Sequence, residues 1–202
     1  MPTYPLTIPA SPNIQEFSIR PLRAVGVSRS PFTFAQQVFD HGGAIWQGEV
    51  KLPAMRPATA KAWEVFLLQC RGASGTFLMG PVLAGNTGTG TGGDLASAGA
   101  ARDESISLQN AGAAATYKAG DWLQIGTSLS ARLHKITADA TADGSGNVTL
   151  TIEPELKQAY PIAAAVNLSA PVGVWRLAAS NIGWDISSAA RFGFAFPVVE
   201  AL

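Results

Sequence analysis

The sequence predicts a mainly β protein: a core domain with one helix, and a second β domain inserted into it. Three observations predict this. Apolar and polar residues alternate from Trp46 to Leu52 and again from Val148 to Glu153, the mark of half-buried strands. Residues 57–71 alone carry a convincing apolar stripe at helical spacing. Composition shifts to Gly, Thr, Ala and Ser between Gly85 and Ala115, and a fresh β pattern follows.

Each element has its own reason. Residues 1–13 hold Pro2, Pro5, Pro9 and Pro12, which suit an extended arm lying on a neighbour, or a frayed terminus. Residues 14–52 read as strands. Trp46, Val50 and Leu52 share one face and Gln47, Glu49 and Lys51 the other. His41-Gly42-Gly43 before them reads as a turn, with Phe32, Phe34, Val38 and Phe39 as apolar bulk upstream. Pro57 suits the first turn of a helix. Ala60, Trp63, Phe66, Leu67 and Cys70 form its stripe, Arg71 complements the C-terminal dipole and Gly72 fits the position past the end. Thr76 to Met79 is a short strand. The run Gly85 to Gly93 reads as a linker or long flexible loop. Trp122 to Ile125, Ala131 to Thr137 and Val148 to Glu153 are strands, the last stopped by Pro154. Asp143 to Asn147 is a turn between the last two. Val174 to Leu177, Ile182 to Ile186 and Arg191 to Val199 complete the pattern, with Phe192, Phe194 and Phe196 alternating with small residues.

Composition bounds the function. Among 202 residues, apolar types make up 47% and charged types 14%, against about 25% charged in typical domains. A charge-poor surface suits either a packed subunit or a neutral Ala/Gly-rich globule. Lys+Arg and Asp+Glu both count 14, so no basic field exists to hold a phosphate backbone. Cys70 is the one cysteine, which excludes an internal disulfide and a cysteine-based zinc cluster. The N-terminus does not read as a signal peptide and no apolar run is long enough to span a membrane. Folding in the cytoplasm without anchoring is the expectation.

Motif tests find no catalytic or ligand-binding residues, and none are assigned: no catalytic set, no cofactor site, no metal site. Gly88, Gly90 and Gly93 match G-x-G-x-x-G, but no helix opens after them and no Gly-Lys pair supplies a P-loop. Asp143-Gly-Ser145-Gly-Asn147 starts like a calcium loop, yet Val148 and Pro154 stand where Gly and Glu are needed. His41 and His134 lack metal-ligand spacing, and His134 is expected on the surface or partly buried. Cys70 lies on the apolar stripe and reads as core. Trp122, Trp175 and Trp184 are candidates for a sugar-stacking platform.

Three stretches together carry a family resemblance. The first holds Ser30 to Asp40, Trp46 to Pro53, Ala62-Trp63, Phe66-Leu67, Arg71-Gly72 and Gly75 to Leu78. The second holds Lys118 to Ile125, Arg132 to Ile136 and Asp143 to Pro154. The third holds Trp175 to Ala178, Phe192 to Phe196 and Val198 to Leu202. The set resembles the distal tail proteins of long, non-contractile-tailed bacteriophages and prophages. The resemblance implies a β-sandwich or split-barrel core with one helix (about 57–71) and an inserted small β-barrel, OB-like or galectin-like. The core would be 1–84 with 171–202, and the insertion 85–170. It further implies a virion structural protein of the tail tip, not an enzyme. That protein would form a homo-oligomeric ring, a hexamer, joining the tail tube protein to hub and tail-tip proteins. DNA would pass through the lumen without specific binding, and no membrane is involved. Other tail roles (completion, collar, minor tube subunit) and a host-glycan-binding insertion are the alternatives.

Overall fold

The computed structural model describes residues 2–81 and 85–202. The chain is mainly β with one helix, one mixed six-stranded sheet and one closed six-stranded antiparallel barrel. The strands preceding the barrel are β1 (Leu6–Thr7), β2 (Glu16–Arg29), β3 (Gln36–Lys51) and β4 (Thr76–Met79), with helix α1 (Pro57–Cys70) between β3 and β4. Next come β5 (Gly92–Leu95), β6 (Ser105–Gln109), β7 (Thr116–Tyr117), β8 (Trp122–Ile125), β9 (Arg132–Ile136), β10 (Ala140–Thr141), β11 (Val148–Glu153) and β12 (Ala165–Asn167). The chain closes with β13 (Gly173–Leu177), β14 (Asp185–Ile186), β15 (Phe192–Gly193) and β16 (Ala195–Glu200).

The open sheet runs β1-β4-β13-β16-β3-β2, and the barrel runs β11-β6-β5-β12-β8-β9 with β9 paired back to β11. The barrel strands all lie in the chain between β4 and β13, with β7 and β10 among them pairing as a separate two-stranded sheet. Strands β4 and β13 are themselves neighbours, paired antiparallel from Thr76↔Arg176 to Met79↔Gly173.

Helix α1 forms where its stripe can be buried. Ala60, Trp63, Phe66, Leu67 and Cys70 are all buried. The Trp63 ring meets Phe66 at 5.7 Å and Phe196 at 6.3 Å, and Phe66 meets Phe77 edge-on at 5.3 Å. Aromatic pairs at such spacing add to the stabilisation from area burial alone. Pro57 sits in the first turn. At the other end Arg71, rather than a glycine, is the first left-handed residue (φ 50°), and its N–H donates to the Leu68 carbonyl. The proline-rich arm lies on its own chain: β1 pairs parallel with β4, Tyr4 donates its hydroxyl to the Gln69 carbonyl, and Leu6 and Ile8 pack on the sheet core.

The barrel core follows the predicted alternation. Val148, Leu150 and Ile152 point inward and Thr149 and Thr151 outward. They pack with Leu95, Leu108, Tyr117, Leu123 and Ile125. The glycine run is not the flexible linker its composition predicts. Gly92 and Gly93 belong to β5. A Cβ on Gly88 would lie 2.4 Å from the Thr116 carbonyl oxygen, and one on Gly93 would lie 2.5 Å from that of Gln109. The run is glycine-rich because other backbone passes directly against it. Asp121 holds its start: its carboxylate accepts from the N–H groups of Thr87, Gly88 and Lys118 and from the Thr87 hydroxyl. Burial works against ionisation of Asp121, but these donors hold its carboxyl below the ordinary value.

Sheet and barrel meet at a buried seam. Trp46 donates its indole N–H to the Leu133 carbonyl at 2.8 Å, and its ring lies 5.0 Å from that of Trp122. Gln124 accepts from the Val172 N–H at 2.9 Å. Glu200 accepts from the Trp46 N–H and pairs with Lys157, and both side chains of that ion pair are almost fully buried. Burial pushes the Lys157 ammonium below its ordinary value, with Glu200 opposing. A dry pair of this kind is sensitive to loss of either partner.

Candidate functional site

The most distinctive surface is a projecting ribbon. Strand β16 pairs with β3 only from Gln47 to Lys51. Beyond that point β2 and β3 pair only with each other among the described residues, and none of these pairs with the outer edge of β2. Nine β2 residues, Pro21 to Arg29, run past the sheet, which at about 3.3 Å per residue makes a ribbon of roughly 30 Å. A two-stranded ribbon with no third layer is marginal by itself in water. It nevertheless exposes apolar side chains among its polar ones: Leu22, Val25, Val27, Val38 and Phe39 are exposed, and at the tip Phe32 is 92% and Phe34 69% exposed. Phe32, Phe34, Val38 and Phe39, the apolar bulk noted upstream of Trp46 in the sequence, are thus all exposed to solvent.

Local chemistry explains the ribbon. Ser30 and Ala35 close the turn by an Ala35 carbonyl accepting from the Ser30 N–H at 2.9 Å. His41-Gly42-Gly43, predicted as a turn, lies inside β3. There the register shifts between Arg23 and Val25, and Gly42 takes φ +66°. A bulge needs such a residue, and it twists the ribbon. The base is fastened to the barrel. Arg23 pairs with Asp40 of the ribbon and with Glu153 of β11, and Arg102 donates to the His41 carbonyl.

A cavity of about 470 Å³ opens at the root of the ribbon, lined by Phe17, Ile19, Pro21, Trp46, Pro81, Trp122 and Lys135. The Lys135 ammonium stands 4.6 Å from the centre of the Trp122 ring, a cation–π distance.

The residues weighed for chemistry fall elsewhere. Cys70 is buried and burial pushes its thiol up to about 11, so it is a core residue. His134 is not on the surface or partly buried, as its sequence context suggests. It is wholly buried, with Nδ1 2.6 Å from the Pro154 carbonyl oxygen. Its strand alternation is misleading because β9 is covered on both faces, by the barrel core and by the seam. Trp122 and Trp175 are 3% and 0% exposed and cannot form a sugar platform with Trp184, which packs on Phe194. Asp143 closes its own turn, accepting from the Ser145 and Asn147 N–H groups. Among the described residues, no three of His, Cys, Asp or Glu cluster so as to hold a metal ion. Among the described residues, no helix is long and apolar enough to cross a membrane.

The one sequence signal for the ribbon is its small face. Ala24, Gly26 and Ser28 alternate with Val25, Val27 and Arg29, and a face of such small residues fills no core. Comparison with protein-family models finds no match, and comparison with curated proteins finds none either.

Proposed function

We propose that this chain is a structural subunit of a bacteriophage tail tip. It would be a distal tail protein whose copies close into a ring, six-membered by the resemblance, between the tail tube and the hub. The observation that carries the proposal is the ribbon of β2 and β3. It exposes apolar side chains on a free strand edge, which a lone molecule has reason to avoid, and a subunit that always meets a neighbour does not. Rings close by repeating one heterologous contact, in which a projection of one copy meets a different surface of the next. The balanced charge, 14 of each sign, supports a lumen through which DNA slides without counterion-driven binding. The buried seam supports a block that transmits load, since it gives the barrel a fixed seat on the sheet. The role proposed is assembly and not catalysis.

Electron microscopy of the purified full chain, with antibody labelling of tailed particles from a lysogen carrying the gene, tests this. Rings, and label at the tail tip, are expected. A stable monomer absent from particles overturns the proposal.

A further inference from the structure

We infer that the ribbon is a lever that pivots at the bulge of β3, and that the barrel sets its angle through a clasp made by Arg23 and Arg102. The inference concerns a single copy and does not rest on the ring proposal. Three observations carry it. The first is the pivot. Ala24 of β2 stands alone opposite His41, Gly42 and Gly43 of β3, so the ladder is interrupted there and regular on both sides. Gly42 is left-handed (φ +66°), and a bulge bends a ribbon where it interrupts the pairing. The second is the bare arm. From Val25 to Asp40 every residue except Gly26 and Ser30 is exposed. Among the described residues, no third strand pairs with this part.

The third is the clasp, which spans the pivot. Arg23 is the last paired β2 residue before the bulge, and its guanidinium reaches Asp40 beyond the bulge and Glu153 at the end of β11. Arg102, in the loop between β5 and β6, donates to the His41 carbonyl at 3.0 Å. A Cβ on Gly42 would lie 2.9 Å from the Arg102 guanidinium carbon, so the guanidinium rests against backbone that glycine leaves bare. Arg102 is itself left-handed (φ 76°), a costly conformation for any residue but glycine. Its N–H donates to the Leu156 carbonyl, and Asp103 closes the loop by accepting from the Ala100 N–H. The barrel thus holds Arg102 in a strained conformation that delivers it to the pivot. A crevice of about 160 Å³, bounded by Gly42 and Gly43 on one side and by Arg102, Leu156 and Lys157 on the other, leaves the pivot room to move. The clasp is also releasable: Arg23 and Glu153 are each 39% exposed, and exposed ion pairs are individually weak. Val25 to Phe32 spans roughly 25 Å at about 3.3 Å per residue, so a swing of about 30° carries the tip roughly 13 Å.

Single-molecule energy transfer on the full chain tests this, at picomolar concentration where copies are apart. One dye is placed at Gln36→Cys on the ribbon and one at Thr149→Cys on the outer face of the barrel. Both positions are exposed and the native Cys70 is buried. With the clasp intact, one narrow distance distribution is expected. Arg23→Gln/Arg102→Gln should raise the population outside that peak about 10-fold, with circular dichroism unchanged. Lys51→Gln removes a surface ion pair with Glu16 at the far end of the β2–β3 ladder and should leave the peak narrow. If the double variant fails to fold, Glu153→Gln takes its place; it removes the barrel's end of one contact and should broaden the peak by less. A narrow, unmoved peak in the folded clasp variant overturns the inference. So does a wild-type distribution as broad as the variant's, and so does equal broadening in Lys51→Gln. None of these outcomes bears on the ring proposal, which the appearance of rings and the labelling of particles decide.

Discussion

Replacing His134 with Asn should flatten the acid side of the stability curve. His134 is completely buried and its Nδ1 lies 2.6 Å from the Pro154 carbonyl oxygen. The neutral ring therefore carries its proton on Nδ1 and donates it there. Nε2 has no hydrogen-bond partner among the described residues. Burial drives the pKa down to about 3; the Pro154 bond opposes this, and the Lys157 and Arg132 charges reinforce it. In the unfolded chain the ring titrates near its usual 6.5. Above that value both states are neutral and nothing is gained or lost. Below it the unfolded chain takes up a proton that the fold refuses, so stability falls as pH drops from 6.5 toward 3. At about 1.4 kcal/mol per unit, the loss between pH 7 and pH 5 is about 2 kcal/mol. His134→Asn keeps a donor where Nδ1 stands and removes the titration. Urea unfolding at pH 7, 6 and 5 measures the difference between the two proteins. It should shift by about 2 kcal/mol in favour of the variant as pH falls. Parallel curves would refute the reasoning, because they would mean that the folded protein protonates His134 as readily as the unfolded one.

Three further outcomes are expected. Lys157→Met strands the buried Glu200 carboxylate and should cost about 3–5 kcal/mol. Adding Glu200→Gln, which leaves an acceptor for the Trp46 N–H, should recover most of that loss in thermal unfolding. Asp121→Ala removes the acceptor of four hydrogen bonds and should cost about 2–4 kcal/mol. Hydrogen exchange should show the Thr87 and Gly88 amides losing protection first. The Cys70 thiol, raised to about 11 by burial, should ignore Ellman's reagent at pH 8 in the folded protein and react in urea; rapid native labelling would contradict its place under α1.

The sequence and the fold agree where a local pattern and its tertiary partner coincide. Pro57 and the stripe from Ala60 to Cys70 mark a helix because one face is apolar and a sheet exists to receive it. Val148, Leu150 and Ile152 mark a barrel strand for the same reason. Disagreement arises where burial depends on distant segments. Phe32 to Phe39 look like core residues in any local window, and only the early end of the β16–β3 pairing at Gln47 leaves them bare. His134 looks like a surface residue, and only the closed barrel, which pairs it with Leu123 and brings the Pro154 carbonyl to its ring, encloses it. The run from Gly85 looks like a linker because small residues serve flexibility and close packing equally well, and the backbone of Thr116 and Gln109 decides between them. The candidate site was the least legible part, since its defining feature is a missing neighbour.

The position of the barrel between two paired strands has a consequence for folding order. Strand β4 must wait for β13, which emerges roughly 90 residues later, and joining ends so far apart carries an entropic cost that grows with the open length. The barrel strands are local to one another and can close first. Once they do, the open chain shrinks to residues 80–91 and 168–172, which lowers the closure cost by about 1.5 kcal/mol. Barrel formation thus acts as a clasp that delivers β13 to β4, and the open sheet, with its adhesive ribbon, is completed last.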